Sequence, residues 1–86
     1  MPQPHRVAVA YFRSRAEADE AWILLVGQGV DVAAMRIEPA SAYGASACKL
    51  ILMLPTESER RLLDILLTSP AIRLDIHDAR DWLDGG

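Results

Sequence analysis

Apolar positions along the chain recur at two periods, and each change of period is marked by a capping residue, a glycine or a proline. Arg6–Phe12 holds no turn former and is apolar on both alternating sets, Val7, Val9 and Tyr11 against Ala8, Ala10 and Phe12. A strand buried on both sides has this pattern, so a central strand is predicted. Ser14-Arg15-Ala16-Glu17 then has the S-x-x-E form of a capping box. The helix it opens carries an inward stripe of Ala18, Ala21, Trp22 and Leu25 at the 3.6-residue period and ends at Gly27 and Gly29. Residues 30–37 predict a second strand closed by Pro39, which has no N–H for a sheet ladder. The small side chains of 38–47 predict a mobile loop, and the almost wholly apolar Cys48–Leu54 a third strand. Thr56-Glu57-Ser58-Glu59 repeats the capping-box form before a helix rich in leucine, which Ser69-Pro70 stops. Residues 71–77 alternate cleanly: Ile72, Leu74 and Ile76 on one side, Arg73, Asp75 and His77 on the other. This is the pattern of an edge strand with one wet face.

The order is βαββαβ, two strand–helix–strand halves in one domain over residues 1–86. It is the split-βαβ, ferredoxin-like α+β layout, a four-stranded antiparallel sheet with two helices on one face. Its usual strand order, 4-1-3-2, puts the first and third strands in the middle, and those are the two that read as apolar on both sides. Two helices cover only one face, so the other must meet water or a partner. The strand patterns assign Ala8, Ala10, Phe12, Ile51 and Met53 to that open face, with Arg73, Asp75 and His77 at one edge. An exposed apolar strip of this kind predicts self-association through the sheet, as a dimer or trimer. The competing expectation is that the C-terminal tail, 79–86, folds back and covers part of the strip with Trp82 and Leu83. Residues 1–5 are expected to be a flexible arm.

Composition removes several functions. The net charge of −3, with Lys49 the only lysine, argues against a nucleic-acid binder, whose affinity comes from neutralising phosphates. A single cysteine leaves no intramolecular disulfide and no cysteine-based zinc site. No apolar run approaches the roughly 20 residues that span a bilayer, and the first residues lack an apolar signal region, so a cytoplasmic protein without membrane insertion is expected. RNA-recognition domains of this fold stack bases on aromatics of both central strands, and the third strand here has none. Arg13 and Arg15 stand beside a helix N-terminus, but without a glycine-rich turn to cradle an anion.

Candidate chemistry is sparse. His77 and Asp75 share a strand face with Arg73, a polar set with the residue types of acid–base or metal chemistry but no second histidine beside it. Cys48 opens a strand, where a cysteine acts as a small hydrophobe. No metal, cofactor or catalytic group is assigned. The most informative segment is the loop, longer than ordinary hairpin connections, because long loops in small domains are usually functional or disordered. Its Ser41, Tyr43, Gly44 and Ser46 offer hydroxyls, one large ring and a pliable backbone for recognising a ligand or partner.

The order of elements over about residues 6 to 78, the extended loop between strands two and three and a sheet-mediated assembly resemble the PII-like and ACT-like small regulatory domains. In the PII-like group that loop contacts partner proteins, and nucleotides bind between subunits. The resemblance implies that Ser41, Tyr43 and Gly44 occupy a partner-reading loop. Thr68-Ser69-Pro70 replaces the phosphate-binding glycine turn, so no nucleotide is implied. A non-catalytic regulatory or interaction domain, oligomeric and sensing a small metabolite or docking a protein, is therefore expected. The alternative is a small enzyme of the dimeric α/β-barrel type with a cavity on the open sheet face, in which His77 or Tyr11 would line the cavity.

Overall fold

The computed structural model describes residues 6–78. The expected arm 1–5 and the tail 79–86, with Trp82 and Leu83, lie outside the described residues. Strand β1 (Arg6–Phe12) leads into helix α1 (Arg15–Gly27), then β2 (Met35–Pro39), β3 (Cys48–Leu54), helix α2 (Glu59–Thr68) and β4 (Arg73–Asp78). The four strands form one antiparallel sheet in the order β2-β3-β1-β4. This is the ferredoxin-like βαββαβ layout, with the two most apolar strands in the centre.

Local chemistry explains the helix ends. The Ser14 side chain accepts the Glu17 amide at 3.3 Å, so the first cap forms as its sequence demands. At the other end Gly29 takes φ 92°, while the Val30 amide reaches the Leu25 carbonyl at 3.1 Å and the Gly29 amide the Val26 carbonyl at 3.0 Å. That is a Schellman motif, which satisfies two otherwise orphaned carbonyls and turns Val30 back onto the core.

The second cap differs from the sequence expectation. Residues 55–58 form a turn, with the Ser58 amide on the Pro55 carbonyl at 3.1 Å, and α2 begins at Glu59 with no side-chain cap. Glu59 instead grips Arg6 of β1 through two contacts, 2.9 and 3.0 Å. The proline before Thr56 commits the chain to that turn, so Thr56 never reaches the helix-start position. Ser14→Ala should therefore cost about 1 kcal/mol in urea denaturation, and Thr56→Ala less than about 0.5 kcal/mol.

The second strand is also shorter than expected. Asp31 accepts the Ala33 amide on its side chain at 2.9 Å and caps a 3₁₀ turn over Val32–Ala34, which displaces strand pairing from residues 30–34. Pro39 is the last residue of β2 rather than the residue beyond it, tolerable because β2 is an outer strand.

Both helices pack on one face of the sheet, and the core beneath them corrects the assignment of the open face. Ala8, Ala10 and Phe12 are fully buried there with Ala18, Ala21 and Leu25 of α1 and Leu62 and Leu66 of α2. Small residues on both sides, Ala8 and Ala10 against Ala18 and Ala21, let α1 lie close to the strand. The opposite face carries Val7, Val9 and Tyr11, with Ile51 and Met53 beside them. Val7 and Val9 are 0% exposed, so the centre of that face is not the exposed apolar strip expected from sequence.

Candidate functional site

Strand register arranges the second face of the sheet in rows. At the loop end Glu38, Lys49, Tyr11 and Arg73 follow one another across β2, β3, β1 and β4; the next row is Arg36, Ile51, Val9 and Asp75; the third holds Met53, Val7 and His77. The middle of the face is thus apolar, and the first row is polar with one aromatic ring. Glu38 ties its corner together, 3.0 Å from the Arg36 guanidinium and 4.0 Å from the Lys49 ammonium. Arg73 donates through Nε to both Asp75 oxygens at 3.0 Å. This contact raises the Arg73 pKa, first by the hydrogen bond and then by the carboxylate charge.

The connection between β2 and β3 places a second ring over the first row. Ala40 and Ala47 are buried anchors, and the Ala40 amide bonds the Ala47 carbonyl at 2.9 Å across the base of the loop. A 3₁₀ turn over Ser41–Tyr43 follows, with the Tyr43 amide on the Ala40 carbonyl at 2.9 Å and the Gly44 amide on the Ser41 carbonyl at 3.2 Å. Ser46 donates its hydroxyl to the Arg13 carbonyl at 3.3 Å, fastening the loop to the turn before α1. The turn delivers Tyr43 onto Tyr11, ring centroids 4.5 Å apart and planes tilted by 37°, within the contact range of aromatic pairs. Tyr43 remains 40% exposed. Burial raises the Tyr11 pKa, as do Asp75 and Tyr43 beside it, against a lowering by Arg73.

Two sets of residues that look unrelated in sequence therefore meet. The loop set and the β4 set converge on Tyr11, with Arg73 and Asp75 on one side of the ring pair. The sequence named Tyr11 only for the barrel-enzyme alternative; that it stands directly opposite Arg73 and beneath the loop follows from strand register. Within the loop set Tyr43 supplies the surface, Gly44 and Ser46 supply the turn and its anchor, and Ser41 is exposed. His77 lies at the far end of the face, opposite Val7, and does not join Tyr11. Cys48 is half-buried on the helical side, its thiol on the Ser46 carbonyl at 3.7 Å.

Gly44 fixes the loop's path. Its φ of 135° and ψ of 160° belong to a region that essentially only glycine adopts, while the space for a Cβ is ample, the nearest atom being 3.9 Å away on Ala47. Gly44→Ala should thus cost about 1–3 kcal/mol through backbone strain alone, measured by chemical denaturation.

Among the described residues no cluster of three or more His, Cys, Asp or Glu side chains is disposed to hold a metal ion, and no helix is long and apolar enough to cross a membrane. One groove runs between the end of α1 and the start of α2, past Asp31, Ser58 and Arg61; another lies beside α1 at Arg15, Asp19 and Trp22. Neither brings together the residues expected to act. Comparison with protein-family models, curated proteins and solved structures finds no significant match.

Proposed function

We propose that this chain is a non-catalytic regulatory interaction domain, of the same kind as PII-like and ACT-like domains, that works as a homo-oligomer and docks a protein partner on the Tyr11–Tyr43–Arg73 surface. The observation that carries this reading is the Tyr43 ring, held against Tyr11 by a tied-down loop yet 40% exposed. Tyrosine gives large contact area with few rotamers to freeze, and tyrosine and arginine dominate the energetics of protein interfaces. The ring pair is already in place, so binding would not have to order it. Among the described residues Arg36, Lys49 and Arg73 against Glu38 and Asp75 leave this face slightly cationic on a chain of net charge −3, which suits a partner offering an apolar side chain flanked by acidic ones.

The test is cross-linked capture from the source cells with the full chain, its Tyr43→Ala variant and its His77→Ala variant. A protein taken up by the first and third and lost with the second supports the reading. Identical capture by all three would refute it.

The barrel-enzyme reading has one observation in its favour: Tyr11 and His77 do share the second face of the sheet. Fully buried Val7 and Val9 stand between them, so a reaction using both would need that apolar centre to part.

A further inference from the structure

Among the described strands β4 is an outer one, beside β1. Two large apolar side chains remain exposed at this edge, Ile72 at 39% just before the strand and Ile76 at 36% within it, on either side of Leu74, which packs against the core. Arg73 and Asp75 occupy the other side of the strand.

We propose that two copies of this chain join along their β4 edges, antiparallel, about a two-fold axis through Leu74. Ile72 then lies opposite the partner's Ile76, and Arg73 opposite the partner's Asp75. The inference goes beyond docking at the tyrosine pair and stands whether or not a partner binds there.

Parity and charge select this register. A two-fold axis perpendicular to a sheet keeps each face on its own side, so it must pass through a residue and not between two, because neighbours along a strand point to opposite faces. An axis at Asp75 would set two carboxylates opposite each other and Arg73 opposite the partner's His77. With the axis at Ile76, Ile72 falls outside the paired stretch. Only the axis at Leu74 covers both exposed isoleucines of both copies and matches both charges. Directly opposed side chains approach to about 5 Å, close enough for ion pairing. Arg73 already holds Asp75 of its own chain through Nε, and a guanidinium has further N–H donors for a second carboxylate. The four groups then alternate in sign around the axis. The same charges blunt the edge against strands that do not match them. Arg73 is also the β4 member of the tyrosine surface, so the joined edges set two such surfaces side by side.

The test uses the full chain with Cys48→Ala as background. Ile72→Cys with Ile76→Cys should give a covalent dimer under mild oxidation, while either cysteine alone stays monomeric, since only unlike positions face each other. In sedimentation equilibrium Arg73→Asp and Asp75→Arg should each weaken the dimer about tenfold or more, and the two together should restore most of the affinity. No dimer from the double-cysteine chain, or cross-linking by Ile76→Cys alone, would overturn the proposal. So would a charge-swapped chain no better than its single variants. No partner protein enters either readout, so the fate of the docking surface is decided separately.

Discussion

Ala10→Asp is expected to leave the chain largely unfolded at room temperature. Ala10 has no exposed surface and lies beneath the helices, among Phe12, Ala18, Ala21 and Leu50. No cation of the described residues lies in that cluster to pair with a new carboxylate. An uncompensated buried charge costs about 3–5 kcal/mol, and the added volume must also be fitted between a strand and a helix held close by small side chains. A domain of this size has about 4–13 kcal/mol of stability in all. The contrasting variant is Met53→Lys, on the other face and only half-buried, where a lysine stem can lie along the sheet and carry its ammonium to water. Circular dichroism melts should show the first chain without a cooperative transition and the second with one close to the parent. The reverse order would mean that the helices cover the other face.

Tyr43→Ala is expected to abolish partner binding while leaving the fold in place. The ring is 40% exposed and rests on Tyr11 rather than in the helix-side core, so its loss should cost the fold only about 0.5–1.5 kcal/mol, the range of an aromatic pair. Central aromatic anchors of interfaces cost about 2 kcal/mol or more on truncation, a loss of roughly 30-fold in affinity. The Ala40–Ala47 base and the Ser46 anchor do not involve the ring and should keep the turn's path.

The contrast between these two variants reflects what could be read from the sequence. Element order and strand order were legible because each strand and helix carries its own period and stop signal, as in Ser14 with Glu17 or the alternation from Ile72 to His77. The side of the sheet that β1 turns to the helices was not. Both of its alternating sets are apolar, and only pairing decides, by setting Ala8 beside Leu52 and Ile76, and Ala10 beside Leu50 and Leu74. The Thr56 cap failed for a different reason: Pro55 and the reach of Glu59 to Arg6 favour a turn over the capping box, a competition between a local motif and a contact distant in sequence. Tyr43, Gly44 and Ser46 stood out by composition, and Arg73 and Asp75 by alternation. That they share one ring of Tyr11 depends on register and on the left-hand φ of Gly44, and a linear pattern records neither.

The docking surface depends most on the placement of Tyr43. Proton NMR on the free 86-residue chain measures it directly, through nuclear Overhauser contacts between the ring protons of Tyr43 and Tyr11, assigned by comparison with Tyr43→Phe. Rings whose centroids lie 4.5 Å apart should give strong cross-peaks, together with contacts from Ala40 to Ala47 across the loop base. Sharp, averaged Tyr43 resonances with no contact to Tyr11 would contradict it, and would leave the docking surface without its central ring.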